Sequence, residues 1–251
     1  GKQGIRAILS FFITILMIWK VLVPAYLNGY NPIVMGMIIT GILTVVIISL
    51  VYGFERRTVA AVSGAMAGLI VTAVFGVIFT DVFKIHGAIM PYSESLLYSG
   101  YADLNLTKIF MASIFIGASG AVMDLAVDIT SAIWEVVCKK PEIGWKEAAA
   151  SGMNVGRAAM GTMTTTLLLA YSGGYVTLMM VFMAQGTPLV NIFNYKYVSA
   201  EIIDTVVGSF GLVTVAPFTA LSAGWLLTRR KKTPRDGDKA AGAAATPAPR
   251  P

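Results

Sequence analysis

Charged residues are scarce in this sequence, and their scarcity decides the class of protein. Only 13% of the 251 residues are Asp, Glu, Lys or Arg, whereas 56% are hydrophobic and the mean hydropathy is +0.74. A soluble domain carries about 25% charged residues. The composition therefore excludes an ordinary soluble domain and predicts an all-α integral membrane protein that crosses the lipid bilayer several times.

Cysteine and histidine are nearly absent. Cys138 is the only cysteine, so the chain has no internal disulfide and no cysteine-based metal cluster. The single histidine, His86, lies in a predicted loop and cannot build a zinc site alone. The HExxH, GxSxG and GxxxxGK[ST] motifs of metalloproteases, hydrolases and nucleotide-binding proteins are also missing. We expect no metal, no cofactor and no enzymatic activity.

The excess of positive charge is local. The net charge of +6 owes much to four consecutive basic residues at 229–232, which follow the last apolar run. Such a run indicates a stop signal in contact with an anionic lipid leaflet, so no nucleic-acid partner is expected. The Ala/Pro-rich residues 233–251 have the low complexity of a disordered tail. Residues 1–232 are thus predicted to form the transmembrane domain.

Six apolar segments are long enough to span a bilayer, which takes about 20 residues of helix. We place them at about 5–28, 33–53, 57–80, 107–137, 153–183 and 201–228. Short interfacial helices are expected in the two longest connections, 81–106 and 138–152.

The basic residues predict one orientation for this six-helix bundle. With both termini inside, the internal side carries Lys2, Arg6, Arg56, Arg57, Lys139, Lys140, Lys146, Arg157 and the residues from Arg229 onward. The external side keeps Lys84, Lys108 and Lys196. Positive charge prefers the cytoplasmic side, so the predicted topology has both termini in the cytoplasm.

The fourth segment combines an apolar helix with three acids. At about 100° per residue, its small and acidic residues form one stripe: Gly117, Gly120, Asp124, Asp128, Ser131 and Glu135. A carboxylate at bilayer depth is costly, so it normally faces the interior of the bundle and marks a functional pathway. The alternative is a neutral acid that hydrogen-bonds to a neighbour and only holds helices together.

Two other segments carry similar stripes. In the fifth segment the stripe comprises Asn154, Arg157, Gly161, Thr164, Thr165 and Ser172. In the sixth it comprises Glu201, Asp204, Gly208, Gly211, Thr219 and Ser222. We expect the three stripes to face one another in a polar core, with Arg157 and Glu135 paired near the internal surface. The alternative is that the small residues of the stripes, like the Gly64/Gly68 pair, merely allow close helix packing.

These stripes suggest a proton relay. Low-dielectric surroundings favour the neutral form of a carboxyl, and two carboxyls one turn apart resist joint ionisation, so such a pair can hold one proton. Our leading hypothesis is a proton- or cation-coupled permease or motor-like protein, with Asp124, Asp128, Thr164 and Thr165 in the relay. A second hypothesis is a non-catalytic subunit of a membrane assembly. An intramembrane aspartyl protease is disfavoured, because its two acids normally come from different helices.

Two blocks carry a family resemblance: GAVMDLAVDITSAIWEV at 120–136 and SGMNVGRAAMGTMTTTLLLAYSGG at 151–174. With GYNPIV at 29–34 and the residues at 201–217, they resemble the YibE/F-like family of bacterial multi-pass membrane proteins. The resemblance implies a place in the bacterial plasma membrane. Longer members add an N-terminal helix and an extracytoplasmic domain, which implies that a short chain partners a long one. We therefore expect a homo-oligomer or a hetero-oligomer with another family member.

Individual residues match that family's pattern to different degrees. Asp124 stands at its Met-Asp position and Arg157 at its Gly-Arg position, while Gly161, Thr162 and Thr166 fall in its GTMxNT segment. Ala158 replaces the family's usual acid and Thr165 its usual Asn. A glycine-rich helix with a central Asp, followed by a Thr-rich helix, is also similar to the proton-relay half of resistance–nodulation–division permeases and of the SecD/SecF export proteins.

Overall fold

The computed structural model describes residues 2–229, and within that range every regular element is helical. The helices are α1 (Lys2–Met17), α2 (Val23–Leu27), α3 (Pro32–Tyr52), α4 (Arg56–Val82), α5 (Ser93–Tyr98), α6 (Leu106–Lys139), α7 (Trp145–Gly174), α8 (Val176–Ala184), α9 (Leu189–Asn194) and α10 (Lys196–Thr228). The predicted tail at 233–251 lies outside the described residues.

Five helical stretches are long and apolar enough to cross a membrane. They are Gly4–Leu27, Pro32–Tyr52, Arg56–Val82, Leu106–Lys139 and Lys196–Thr228. The first contains α1, a π-helical turn at Ile18–Leu22, and α2. α7 and α8 pass the same test as a pair but meet at an angle of 59°, and counting them as one broken span gives six.

Helix boundaries follow local chemistry. The Asn31 side chain accepts a hydrogen bond from the Ile33 N–H at 3.1 Å, and Pro32 occupies the first turn of α3, where its missing N–H is harmless. α3 ends at Gly53, whose φ of 79° suits glycine. Asn105 caps α6 by accepting from the Lys108 N–H at 3.0 Å.

α7 begins earlier than the sequence predicts. The expected short helix in 138–152 is instead the first turns of α7, which starts at Trp145 rather than near residue 153. The intervening Ala148, Ala149 and Ala150 are strong helix formers, so the helix continues without interruption. This start lengthens α7 at the Trp145 end and changes the depth of every residue that follows.

The core lies between α4, α6 and α10, with α3 and α7 packed around them. Its largest fully buried side chains include Leu69 of α4, Leu125, Ile129 and Ile133 of α6, and Leu212 of α10. α1 packs mainly against α3 and stays largely exposed.

α4 and α10 approach very closely through small residues. A Cβ on Gly64 would meet Thr219, whose Cα lies 2.6 Å from that position, and a Cβ on Gly68 would lie 2.7 Å from the Val215 Cβ. The Ser222 hydroxyl donates a hydrogen bond to the Ala60 carbonyl at 3.0 Å across the same contact. The part of the α10 stripe from Gly211 to Ser222 therefore packs against α4. The Gly64/Gly68 spacing on α4 predicts such a close helix neighbour.

Candidate functional site

The acidic stripe of α6 points away from the core. Its members are all exposed: Gly117, Gly120, Asp124, Asp128, Ser131 and Glu135. The opposite face of the same helix is fully buried at Val122, Leu125, Ile129 and Ile133. The prediction that three polar stripes surround Asp124 in one core is therefore wrong. We call the exposed stripe the open face of α6.

The packing of α7 explains this orientation. A Cβ on Gly156 would lie 2.9 Å from Ile129 Cδ1, and a Cβ on Gly152 would lie closer still to Ile133 Cδ1. The small residues of α7 thus accept the branched apolar side chains of α6. Since consecutive residues are about 100° apart on a helix, Asp128 and Arg157 both turn away from the Ile129–Gly156 contact.

Asp124 lies deep in its helix. A rise of about 1.5 Å per residue puts it roughly 22 Å from the Lys139 end of α6, and Asp128 roughly 16 Å from that end. Both carboxyls are therefore within the hydrocarbon depth of a helix that spans the bilayer. The charge of an acid at this depth must be solvated by protein groups or water, or neutralised by a proton.

The predicted Arg157–Glu135 ion pair does not form. Glu135 instead pairs with Lys139, one turn further along α6, at 3.0 Å. The early start of α7 explains the error: at about 1.5 Å per residue, Arg157 lies roughly 18 Å from Trp145, whereas Glu135 lies roughly 6 Å from Lys139. Among the side chains that the structure describes, the other ion pairs are Glu55–Arg57 and Lys140–Glu147, so Asp124, Asp128 and Arg157 belong to none of them.

α7 has an open face of its own. Asn154, Arg157, Gly161 and Thr165 are exposed, as are Thr162 and Thr166, while Thr164 and Ser172 are half-buried. The Thr164 hydroxyl donates to the Met160 carbonyl at 2.9 Å, and the Thr165 hydroxyl donates to that of Gly161 at 3.3 Å. These bonds stay within α7 and use the hydroxyl protons. No hydrogen bond in the described part of the chain joins either threonine to Asp124 or Asp128.

The Lys139 end of the open face of α6 has an ordered border that the sequence did not reveal. The Tyr52 hydroxyl lies 2.7 Å from the Ser131 hydroxyl and donates to the Val127 carbonyl at 2.5 Å. The Arg57 guanidinium stacks over the Trp134 ring, 4.9 Å from its centroid. Tyr52 is the last residue of the apolar helix α3, so only its contacts across the bundle reveal this role.

A second acidic group lies in a cavity near the start of α10. Glu201 and Asp204 line a cavity of about 450 Å³ together with Tyr175, Tyr197, Phe110 and Ser113. The Tyr175 hydroxyl donates a hydrogen bond to Glu201 Oε1. Asp204 Oδ1 is buried and has no hydrogen-bond partner among the described residues. Asp204, which we predicted to act in packing or an ion pair, makes no ion pair within residues 2–229.

The sequence could not have located this cavity. Tyr175 stands at the break between α7 and α8, after Gly173 and Gly174, and meets Glu201 only through the fold. No Lys or Arg lines the cavity. Across residues 2–229, no three His, Cys, Asp or Glu side chains are grouped in a way that could hold a metal ion.

The comparisons with known proteins agree with the sequence resemblance. The family model described as "YibE/F-like protein" matches residues 1–229, nearly the whole chain. Comparison with curated proteins and with solved structures gave no match. The membrane-spanning character of the helices and the extent of this match identify the chain as a member of the YibE/F-like family.

Proposed function

We propose that the chain is the proton-responsive membrane part of a permease- or motor-like protein of the bacterial plasma membrane. The observation that carries the proposal is the pair Asp124 and Asp128, one turn apart at bilayer depth on an open face. Structural acids that only hold helices together are tied to hydrogen-bond donors. Neither of these acids has an ion-pair partner in the described part of the chain.

The proposed chemistry is the uptake and release of one proton by this pair. Two carboxyls about 6 Å apart along a helix resist joint ionisation in surroundings of low dielectric constant. Their affinity for a proton then depends on what covers the open face. A conformational change that admits water or brings a cation near changes that affinity, which couples protonation to movement.

No covalent step is needed, so the proposed function is not enzymatic. In the assembled protein, the oxygens of Thr164 and Thr165 serve as hydrogen-bond acceptors for water along the pathway, since their protons are already donated within α7. The lipid bilayer is the one partner that this function requires in every case. Glu135, Asn154 and Gly161 serve packing or surface contacts, not proton transfer.

The proposal includes a topology of six spans with both termini in the cytoplasm. Counting α7 and α8 as one broken span gives an even number of crossings. With this orientation, Arg56, Arg57, Lys139 and Lys140 lie at cytoplasmic turns, whereas Lys84 and Lys108 lie outside. This asymmetry follows the preference of basic residues for the cytoplasmic side.

The test uses the full chain in proteoliposomes. Infrared difference spectra between mildly acidic and mildly alkaline pH report protonated carboxyls directly, and an entrapped pH-sensitive dye reports proton movement. We expect a carboxyl band that titrates in this range and is lost in Asp124→Asn. Asp103→Asn, which changes an exposed loop acid, is the matched control and should keep the band. An Asp124→Asn protein with an unchanged spectrum and unchanged pH response would refute the proposal.

A second candidate function is that of a non-catalytic subunit that assembles with a longer family member or another membrane protein. The exposure of the polar stripe favours it, because a face of this chemistry is unsuited to lipid. Purification of the tagged chain from native membranes separates the two candidates. A stoichiometric second protein, with no proton response from the chain alone, would favour the subunit.

A further inference from the structure

The open faces of α6 and α7 carry opposite charges at the same depth. α6 ends at Lys139 and α7 starts at Trp145, so both helices are counted from the same side of the membrane. At about 1.5 Å per residue, Asp128 lies roughly 16 Å and Arg157 roughly 18 Å from that side. The two charges are level, although the predicted partner of Arg157 was Glu135.

The two charges do not meet within one chain. Both side chains are exposed, and neither forms an ion pair within residues 2–229. The Ile129–Gly156 contact lies between α6 and α7, which run antiparallel. Asp128 comes one residue before this contact on α6 and Arg157 one residue after it on α7, so each stands about 100° from the contact and the two point to opposite sides of it. Rotamer changes cannot remove this separation, because the buried Ile129 and Ile133 fix the rotation of α6.

We propose that the open face of α6 binds the open face of α7 in a second copy of this chain, with Asp128 of one copy paired to Arg157 of the other. Two copies inserted in the same orientation keep their depths, so level charges on one copy are level across the contact. One kind of contact between identical chains then covers both charges. A partner of different sequence would need an unrelated pair of charges to do the same.

Small residues on both faces allow the approach. Apart from the adjacent residues of their own helices, no heavy atom of the described chain lies within 4 Å of the Cβ position at Gly120 on α6 or at Gly161 on α7. Small residues of this kind let helices in lipid come close enough for polar groups to bond. In this contact Arg157 balances the charge of ionised Asp128, so the one proton of the proposed pair resides on Asp124.

The assembly does not depend on the proposed proton response, so the two can fail separately. Loss of the carboxyl titration with assembly intact would refute only the function. A monomeric chain that still titrates would refute only the assembly.

An exchange of charges tests the pairing. One copy carries Asp128→Arg and the other carries Arg157→Asp, with different affinity tags. Each variant alone places like charges at the contact and should purify mostly as a monomer from mild detergent. When both are expressed together, the contacts between them are again Arg–Asp, and we expect at least ten-fold more co-purification than for either variant with itself. Equal co-purification in all combinations would overturn the pairing.

Cysteine cross-linking tests the surface without changing a charge. In a Cys138→Ser background, Gly120→Cys with Gly161→Cys should form disulfide-linked products of whole multiples of the chain mass in oxidised membranes, because each copy offers both faces. Val74→Cys with Val213→Cys, at exposed positions of α4 and α10, is the matched control and should stay monomeric. Products whose mass is not a multiple of the chain mass would identify a different partner and overturn the second copy, as would no product. This readout remains decisive if the charge variants fail to insert.

Discussion

The stripes of α6 and α10 have similar compositions and opposite surroundings. Each combines glycine, hydroxyl and acidic residues along one side of a long apolar helix. In α10, Gly211 and Thr219 are buried against α4, whereas Gly120 and Asp124 of α6 are exposed. The comparison shows that such a stripe predicts a close neighbour without saying whether that neighbour belongs to the same chain.

The difference arises from the surfaces available to each stripe. α4 offers Ala60, Gly64 and Gly68 in one line, which leaves room for the backbone of α10. α7 offers Gly152 and Gly156, but these accept the branched apolar face of α6 instead of its acidic face. The packing of Ile129 and Ile133 against these glycines thus sets the rotation of α6 about its axis. As a consequence, the acids lie on the opposite, exposed side of the helix.

The largest expected change in the free energy of unfolding comes from a bulky side chain placed between α4 and α10. Gly64→Leu places a side chain where the Thr219 backbone already lies, so we expect a loss of about 3 kcal/mol in the free energy of unfolding. Gly161→Leu adds the same side chain to the open face of α7 and should cost the monomer less than about 0.5 kcal/mol. Denaturant titration in mixed micelles measures both, and equal losses would contradict the difference between the stripes.

A smaller effect separates the two sides of α6 itself. Leu125→Ala removes a fully buried side chain and should cost the monomer about 2 kcal/mol through the cavity it leaves. Asp124→Ala, the adjacent residue on the open face, should not lower the stability of the monomer. The same titration checks the pair. A larger loss for Asp124→Ala would mean that the acid holds the fold together.

The smallest effect tests the hydrogen bond between α10 and α4. Ser222→Ala removes the bond to the Ala60 carbonyl and should cost roughly 0.6 kcal/mol, the average for interhelical bonds in a membrane protein. Ser209→Ala is the control, since the Ser209 hydroxyl donates to Thr205 within α10 at 2.8 Å. Its loss should be smaller, and the difference between the two variants reports the bond across the contact.

The sequence predicted the helical class, five of the six proposed spanning segments and the composition of each stripe. These follow from hydropathy and from the helical period, which are local properties. The rotation of α6 could not be predicted, because it depends on the fit of Ile129 and Ile133 to Gly152 and Gly156. The depth of Arg157 could have been predicted: Ala148–Ala150 carry no helix breaker, and a helix started at Trp145 puts the arginine level with Asp128.

α10 is the last helix of the described chain, yet it fills the centre of the bundle against α4, α6 and α7. During synthesis, α4 and α6 enter the membrane before α10, so their small-residue surfaces lack a packing partner until α10 is made. The glycine line of α4 is then available to any other helix with a narrow face. Completion of the interior therefore depends on α10, and a chain truncated before residue 196 would lack the centre of its bundle.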